Sequence, residues 1–128
     1  FMAGAAAAIV GPLLGISPSE STSSADGRGA MVIISLACYL ILAPLIEEIV
    51  FRRLLMGYLD RSFPAFVSVI LSSLLFGAAH IAPPVIVYAT FLGMGGALVT
   101  RFHNSLRAGL ILHFVNNLTV QLIAISAL

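Results

Sequence analysis

Five apolar segments make up most of this chain, and nearly all of its charged residues lie in the connections between them. The segments cover residues 1–16, 30–51, 63–80, 85–100 and 106–128. Only 9% of the residues are charged, whereas a soluble domain has about 25%. Because so few charges cannot cover a water-exposed surface, we expect the chain to fold in a lipid bilayer. Lipid offers no hydrogen-bond partners to the backbone, so the sequence predicts an all-α, polytopic transmembrane helical bundle.

The chain length predicts one domain over residues 1–128. The first apolar segment is too short to span a bilayer, and the chain opens on Phe1. We therefore interpret residues 1–16 as a truncated transmembrane helix in an excerpt of a longer membrane protein. A signal peptide fits less well because no basic residues precede the apolar run. Residues 17–29 are rich in Ser, Gly and acidic residues and predict a loop.

Basic residues cluster in two connections that are separated by two apolar segments, so both should lie on one side of the membrane. These connections contain Arg52, Arg53, Asp60 and Arg61, and then Arg101, His103 and Arg107. Because basic loops stay cytoplasmic, the sequence predicts an integral membrane protein with its arginine-rich loops in the cytoplasm. The net charge of +1 argues against a nucleic-acid partner. Cys38 is the only cysteine, which excludes an intrachain disulfide.

Small residues also recur in the apolar segments, and they allow helices to approach closely in lipid. Gly11 and Gly15 form a GxxxG pair, Gly77 precedes His80, and Gly93 and Gly96 lie in the fourth segment. Glycine is also common in membrane helices in general, so both interpretations stay open.

Glu47 and Glu48 are the two acidic residues placed within an apolar segment. A charge near the middle of a span costs about 2.5–3.5 kcal/mol on insertion scales, so such residues indicate a functional site. Arg52 follows Glu48 by four residues and can pair with it on one helix face. Glu47 points elsewhere and is freer to accept a proton, and Pro44 should kink the helix nearby. The alternative is an acid–base cluster that anchors the end of a span.

Three further polar residues lie on the later segments. His80 ends the third segment, where a lone histidine is usually an interfacial or hydrogen-bonded residue. His113 and Asn117 stand four residues apart on one face of an otherwise apolar helix. They are candidates for a polar site, and interhelical hydrogen bonding is the alternative.

These residues together form three motifs in a fixed order: Glu47-Glu48 with Arg52, Phe76 with His80, and His113 with Asn117. In these motifs the chain resembles the CPBP family. This family contains the CAAX prenyl endopeptidases of the Rce1 type and the bacteriocin-processing or immunity proteins, also called Abi. The resemblance covers residues 45–117. Other intramembrane protease classes lack support, because no His-Glu-x-x-His or Gly-x-Ser-Gly occurs and Asp26 and Asp60 lie in predicted loops.

The resemblance implies an intramembrane endopeptidase whose catalytic residues are Glu47, Glu48, His80, His113 and Asn117. It implies that Glu47 and His80 activate water, and that His113 and Asn117 form an oxyanion hole. Arg52 and Phe76 support the site, and Glu48, paired with Arg52, orients it. The implied partners are membrane lipid and a peptide or protein substrate, including prenylated CAAX proteins.

The cofactor requirement stays open at this point, because the family has been described as metal-dependent and as a metal-free glutamate protease. If a metal such as zinc binds, Glu48, His80 and His113 are its candidate ligands. We favour a metal-free site, because Asn117 is a poor zinc ligand and a good hydrogen-bond donor. Two other functions also remain: a proton or ion transporter in which Glu47, His80 and His113 form a relay, and a non-catalytic membrane scaffold or immunity protein. Asn117 favours the protease, since a relay needs no amide beside His113.

Overall fold

The computed structural model describes the backbone of residues 25–126 and the side chains of residues 30–126. Every regular element in this part of the chain is a helix, which confirms the predicted all-α fold. The predicted first segment, residues 1–16, lies outside the described residues.

The chain divides into two compact units, and the first ends at Leu42. Its described part consists of helix α1, Ala25–Ala37, and a π-helical stretch π1, Cys38–Leu42. The predicted loop over residues 17–29 is therefore wrong at its end, since a helix begins at Ala25. A run of large apolar side chains in α1 is exposed, from Met31 to Ile34. Such a surface is suited to lipid rather than to water.

The second unit begins at Ala43 with a helical run that contains the acidic pair. This run comprises α2, Ala43–Glu48, the π-helical segment π2, Ile49–Met56, and the short α3, Gly57–Leu59. The sequence predicted an end near Phe51 and placed Arg52 in a basic loop. Both expectations are wrong, because Arg52 is only 3% exposed and lies within the helix. Its charge is matched by Glu48 rather than by water, so the charge does not mark a helix end.

Three further helices complete the unit: α4, Ala65–Ala78, α5, Pro83–Phe102, and α6, Leu106–Ser126. Pro64 is the N-cap residue of α4, and Pro83 and Pro84 lie in the first turn of α5. Backbone N–H groups in the first turn of a helix have no carbonyl partner within that helix, so proline, which lacks an N–H, is tolerated there. The connection between α5 and α6 turns at Asn104, whose φ of 47° lies in the left-handed region. Asparagine tolerates that conformation better than most residues do.

Close packing of α4 and α5 depends on small residues. A Cβ atom built on Gly77 would overlap the side chain of Thr90 and lie 2.8 Å from the carbonyl oxygen of Ile86. A Cβ on Gly93 would lie 3.0 Å from Cδ1 of Phe76. These glycines therefore let the two backbones approach closely. This agrees with the interpretation that the small residues serve helix packing. Gly11 and Gly15 lie outside the described residues.

Within the part of the chain that the structure describes, three helices are long and apolar enough to cross a membrane: Ala30–Leu59, Pro83–Phe102 and Leu106–Ser126. Helix α4 is apolar but has only 14 residues, or about 21 Å at 1.5 Å per residue. It is shorter than the predicted segment over residues 63–80 and shorter than the roughly 20 residues of a full span. Its ends are set by Pro64 and by the turn before Pro83.

The two basic connections lie at the same end of the second unit. Arg101, in the last turn of α5, forms an ion pair with Asp60, which follows α3. Both side chains are partly exposed. The sequence expectation that these two connections share one side of the protein agrees with this contact.

Candidate active site

A buried ion pair forms the base of the polar cluster in the second unit. Nη2 of Arg52 lies 3.4 Å from Oε1 of Glu48, and both side chains are 1% exposed. The guanidinium also lies over the ring of Phe76, 4.7 Å from its centroid, in a cation–π arrangement. The predicted pairing of Glu48 with Arg52 is therefore present. Breaking a buried pair leaves an uncompensated charge, so Glu48 and Arg52 depend on each other for burial.

Two glycines make room for this ion pair. A Cβ atom at Gly96 of α5 would lie 3.1 Å from Nη2 of Arg52 and 3.6 Å from Oε1 of Glu48. A Cβ atom at Gly109 of α6 would lie 2.6 Å from Oε2 of Glu48 and would overlap the hydroxyl of Thr100. The backbones of α5 and α6 thus approach the carboxylate more closely than any other residue type would permit.

His113 lies between the two glutamates. Its Nδ1 is 3.3 Å from Oε1 of Glu48, and its Nε2 is 3.6 Å from Oε2 of Glu47. Nδ1 therefore faces Glu48, and Nε2 faces Glu47. When Nδ1 carries a hydrogen, it can donate that hydrogen to Glu48. Glu47 is 33% exposed, whereas Glu48 is 1% exposed. The adjacent carboxylates therefore have different surroundings: Glu48 is buried in an ion pair, and Glu47 is accessible beside a histidine.

His80 follows helix α4 and lies near the same cluster. Its Nδ1 is 3.0 Å from the backbone carbonyl oxygen of Phe76, and its ring packs against the ring of Phe76 in a tilted arrangement, at a centroid distance of 5.2 Å. When Nδ1 donates to that carbonyl, Nε2 is an acceptor. The rings of His80 and His113 both contact the ring of Phe76, so the two imidazoles lie around the same aromatic side chain.

Phe76 contacts several members of the cluster. It is 1% exposed, and its ring meets the rings of Phe51 and His113 edge-on, at centroid distances of 5.1 and 5.7 Å. A single aromatic side chain therefore packs against the histidines and the arginine. The sequence identified Phe76 only through its motif, because its contacts come from other helices.

Asn117 lies one turn after His113 on α6 and is 8% exposed. Its Oδ1 accepts a hydrogen bond from Nδ2 of the neighbouring Asn116, at 3.3 Å. Oδ1 of Asn116 in turn accepts a hydrogen bond from the hydroxyl of Tyr88 on α5. The sequence analysis did not single out Tyr88. Its only signal was a tyrosine within an apolar helix, and the contact with Asn116 is tertiary.

The polar cluster lies away from the basic connections. Glu47 precedes Asp60 by thirteen residues, which corresponds to roughly 15–20 Å along a helix. His80 follows the end of α4 that is remote from Asp60. Glu47 and His80 are therefore separated along the helices from the end of the unit that holds the basic connections.

The described residues do not form a metal site. Within residues 30–126, no three His, Cys, Asp or Glu side chains are grouped so that they could hold a metal ion. Oε1 of Glu48 already contacts Arg52 and Nδ1 of His113. The candidate ligands Glu48, His80 and His113 therefore do not fit zinc in this arrangement, and we derive no step through a metal.

Comparison with known proteins identifies the family. A family model described as type II CAAX prenyl endopeptidase Rce1-like matches residues 29–119. The chain belongs to this Rce1-like family. Comparisons with curated proteins and with solved structures give no match.

Membership in the Rce1-like family confirms the resemblance that the three motifs carry. Together with the three apolar helices, it establishes an integral membrane protein of the CAAX-type intramembrane protease class. The matched region contains all five predicted catalytic residues together with Arg52 and Phe76.

Proposed function

We propose that the protein is an endopeptidase that hydrolyses a peptide bond of a membrane-associated, lipidated CAAX-type substrate with water activated by Glu47. The observation that carries this proposal is the different placement of the adjacent glutamates around His113. Glu48 is paired with Arg52 and with Nδ1 of His113, whereas Glu47 is accessible and faces Nε2. One carboxylate is therefore held for structure and the other is available for chemistry.

Glu47 is the general base in this proposal. Its carboxylate removes a proton from water while the water oxygen attacks the carbonyl carbon of the scissile bond. His80 assists, because its Nε2 accepts a hydrogen bond from the water when Nδ1 donates to the carbonyl oxygen of Phe76. The proton held by Glu47 then passes to the leaving amine as the C–N bond breaks.

Asn117 and His113 stabilise the oxyanion of the tetrahedral intermediate. The amide of Asn117 donates a hydrogen bond without needing a charge. Nε2 of His113 donates when it carries a hydrogen, and Glu48 is placed to accept a hydrogen on Nδ1. A donor directed at a developing oxyanion is worth about 10²–10³ in kcat.

The proton-relay alternative has less support. In that alternative Glu47, His80 and His113 form the relay, which gives no role to the buried amide of Asn117 one turn after His113. Asn117 adds a group that does not titrate. We expect no proton flux through the protein in liposomes.

The test is cleavage of a prenylated CAAX peptide by the full chain reconstituted in liposomes, followed by mass spectrometry of the released fragment. We expect the parent to cleave the peptide and Glu47→Ala to reduce kcat by at least about 10²-fold, as for loss of a general base. Asp60→Asn is the control, because it also removes a carboxylate but at the far end of the bundle.

Equal cleavage by the parent and Glu47→Ala would remove Glu47 as the base. Proton flux without cleavage would support the relay. No cleavage of this peptide and no proton flux would favour a non-catalytic scaffold.

A further inference from the structure

A groove of about 650 Å³ lies between helices α5 and α6, at the end of the second unit that holds the basic connections. Its volume is within the range of about 300–1,000 Å³ that is usual for small-molecule sites. Its walls come from the last turn of α5, the connection after it and the first half of α6. Among the described residues that line it, none belongs to the five proposed catalytic residues. The groove is therefore a feature separate from the candidate active site.

The two ends of the groove differ in chemistry. Its polar side chains are His103 and Ser105, in the connection between the helices, and Arg107, in the first turn of α6. Further along α6 the lining becomes apolar, with Ile111 and Val115, which are 62% and 52% exposed. Val115 follows Arg107 by eight residues, or about 12 Å along the helix. The groove thus suits an amphipathic molecule with a polar head and an extended apolar chain.

Arg107 determines the charge that the polar end favours. Among the described residues that line the groove there is no Asp or Glu. Within residues 30–126, Arg107 forms no ion pair, whereas Arg101 at the same end of the unit is paired with Asp60. The charge of Arg107 is therefore available to an anion, and His103 and Ser105 add hydrogen-bond donors beside it.

The direction of the groove matches the direction of a lipid in a bilayer. Helix α6 is long and apolar enough to cross a membrane, and Arg107 lies in its first turn. When α6 spans the bilayer, its first turn is near the lipid headgroups, and Ile111 and Val115 lie deeper. Basic pockets between transmembrane helices bind anionic lipid headgroups. We propose that this groove binds an anionic phospholipid, whose phosphate contacts Arg107 and whose acyl chain lies against Ile111 and Val115.

The test measures lipid binding to the full chain in detergent by native mass spectrometry. The probes are phosphatidylglycerol, which is anionic, and phosphatidylcholine, which has no net charge, with the same acyl chains on both. We expect the parent to bind phosphatidylglycerol more tightly. Arg107→Gln should weaken phosphatidylglycerol binding roughly fivefold, as for loss of one arginine near a lipid headgroup, and leave phosphatidylcholine binding unchanged. Its melting temperature without lipid should equal that of the parent, because Arg107 is exposed.

Arg61→Gln is the matched control. It also removes an exposed arginine from a basic connection, but Arg61 is not among the residues that line the groove. We expect it to keep the parent preference for phosphatidylglycerol. An equal loss in Arg61→Gln and Arg107→Gln would contradict a site in the groove, since it would show a diffuse attraction between basic connections and anionic lipid. Equal binding of the two lipids by the parent would also overturn the proposal.

Two competitors distinguish a phospholipid from other occupants. Glycerol 3-phosphate carries the anionic head without acyl chains, and we expect it to leave phosphatidylglycerol bound. Its displacement of the lipid would show a site for a free phosphate instead. A prenylated CAAX peptide should also leave the lipid bound, because the described lining residues include none of the proposed catalytic residues. Displacement by the peptide would assign the groove to the substrate. These readouts measure binding alone, so their outcome does not depend on the proposed proteolysis.

Discussion

At the scale of single residues, adjacent positions of this chain have opposite environments. Glu48 is buried with Arg52, while Glu47 is partly exposed beside Nε2 of His113. The sequence predicts the first contact, because a spacing of four residues brings Glu48 and Arg52 onto one helix face. The second contact joins residues on different helices, and no local spacing could have predicted it.

Gly109 is expected to be essential for the buried ion pair. Gly109→Ala places a Cβ 2.6 Å from Oε2 of Glu48 and against the hydroxyl of Thr100. Overpacking of this kind costs about 1–3 kcal/mol, and we expect a lower melting temperature in detergent together with reduced cleavage. Gly95→Ala is the control, since its Cβ would meet only Cδ2 of Leu112 at an ordinary 3.5 Å. Equal melting temperatures for the two variants would show that α6 can move away from Glu48.

At the scale of helices, the sequence predicts which segments are helical better than it predicts their ends. The predicted boundaries of α5 and the predicted start of α6 agree with the structure to within two residues, because prolines and a polar turn flank them. The helix that contains Glu47 was predicted to end eight residues too early. Arg52 was interpreted as a loop residue because of its charge, whereas Glu48 compensates that charge within the helix. The π-helical segment Ile49–Met56 has no sequence signal that we could identify.

The ion pair between Asp60 and Arg101 leads to a prediction about the connections between helices. In a Cys38→Ser background, single cysteines at Ser62 and His103 should react with a membrane-impermeant maleimide from the same side. A cysteine at Ile81, which is 94% exposed at the other end of α4, should react from the opposite side. We propose that Ser62 and His103 face the cytoplasm, because the connections contain arginines.

Reaction of Ser62→Cys and His103→Cys from opposite sides would contradict the shared end of these connections. Reaction of both from outside the cell would reverse only the proposed orientation.

At the scale of the whole molecule, the polar cluster lies among helices that are otherwise apolar. The three motifs predict the residues of this cluster, and all of these residues lie within the region that the family model matches. Their mutual geometry could not be predicted from sequence, because it depends on how α4, α5 and α6 pack around Glu48. The extent of the domain over residues 1–128 stays a prediction.

The central claim is that Glu47 performs chemistry while Glu48 maintains the fold. The most direct test measures kcat and melting temperature side by side for Glu47→Gln and Glu48→Gln, which make the same change at adjacent positions. We predict that Glu47→Gln loses cleavage but keeps the parent melting temperature. Glu48→Gln should lower the melting temperature, because it leaves Arg52 buried without its partner at a cost of about 3–5 kcal/mol. Cleavage by Glu47→Gln at the parent rate, or the same loss of stability in both variants, would contradict this division of roles.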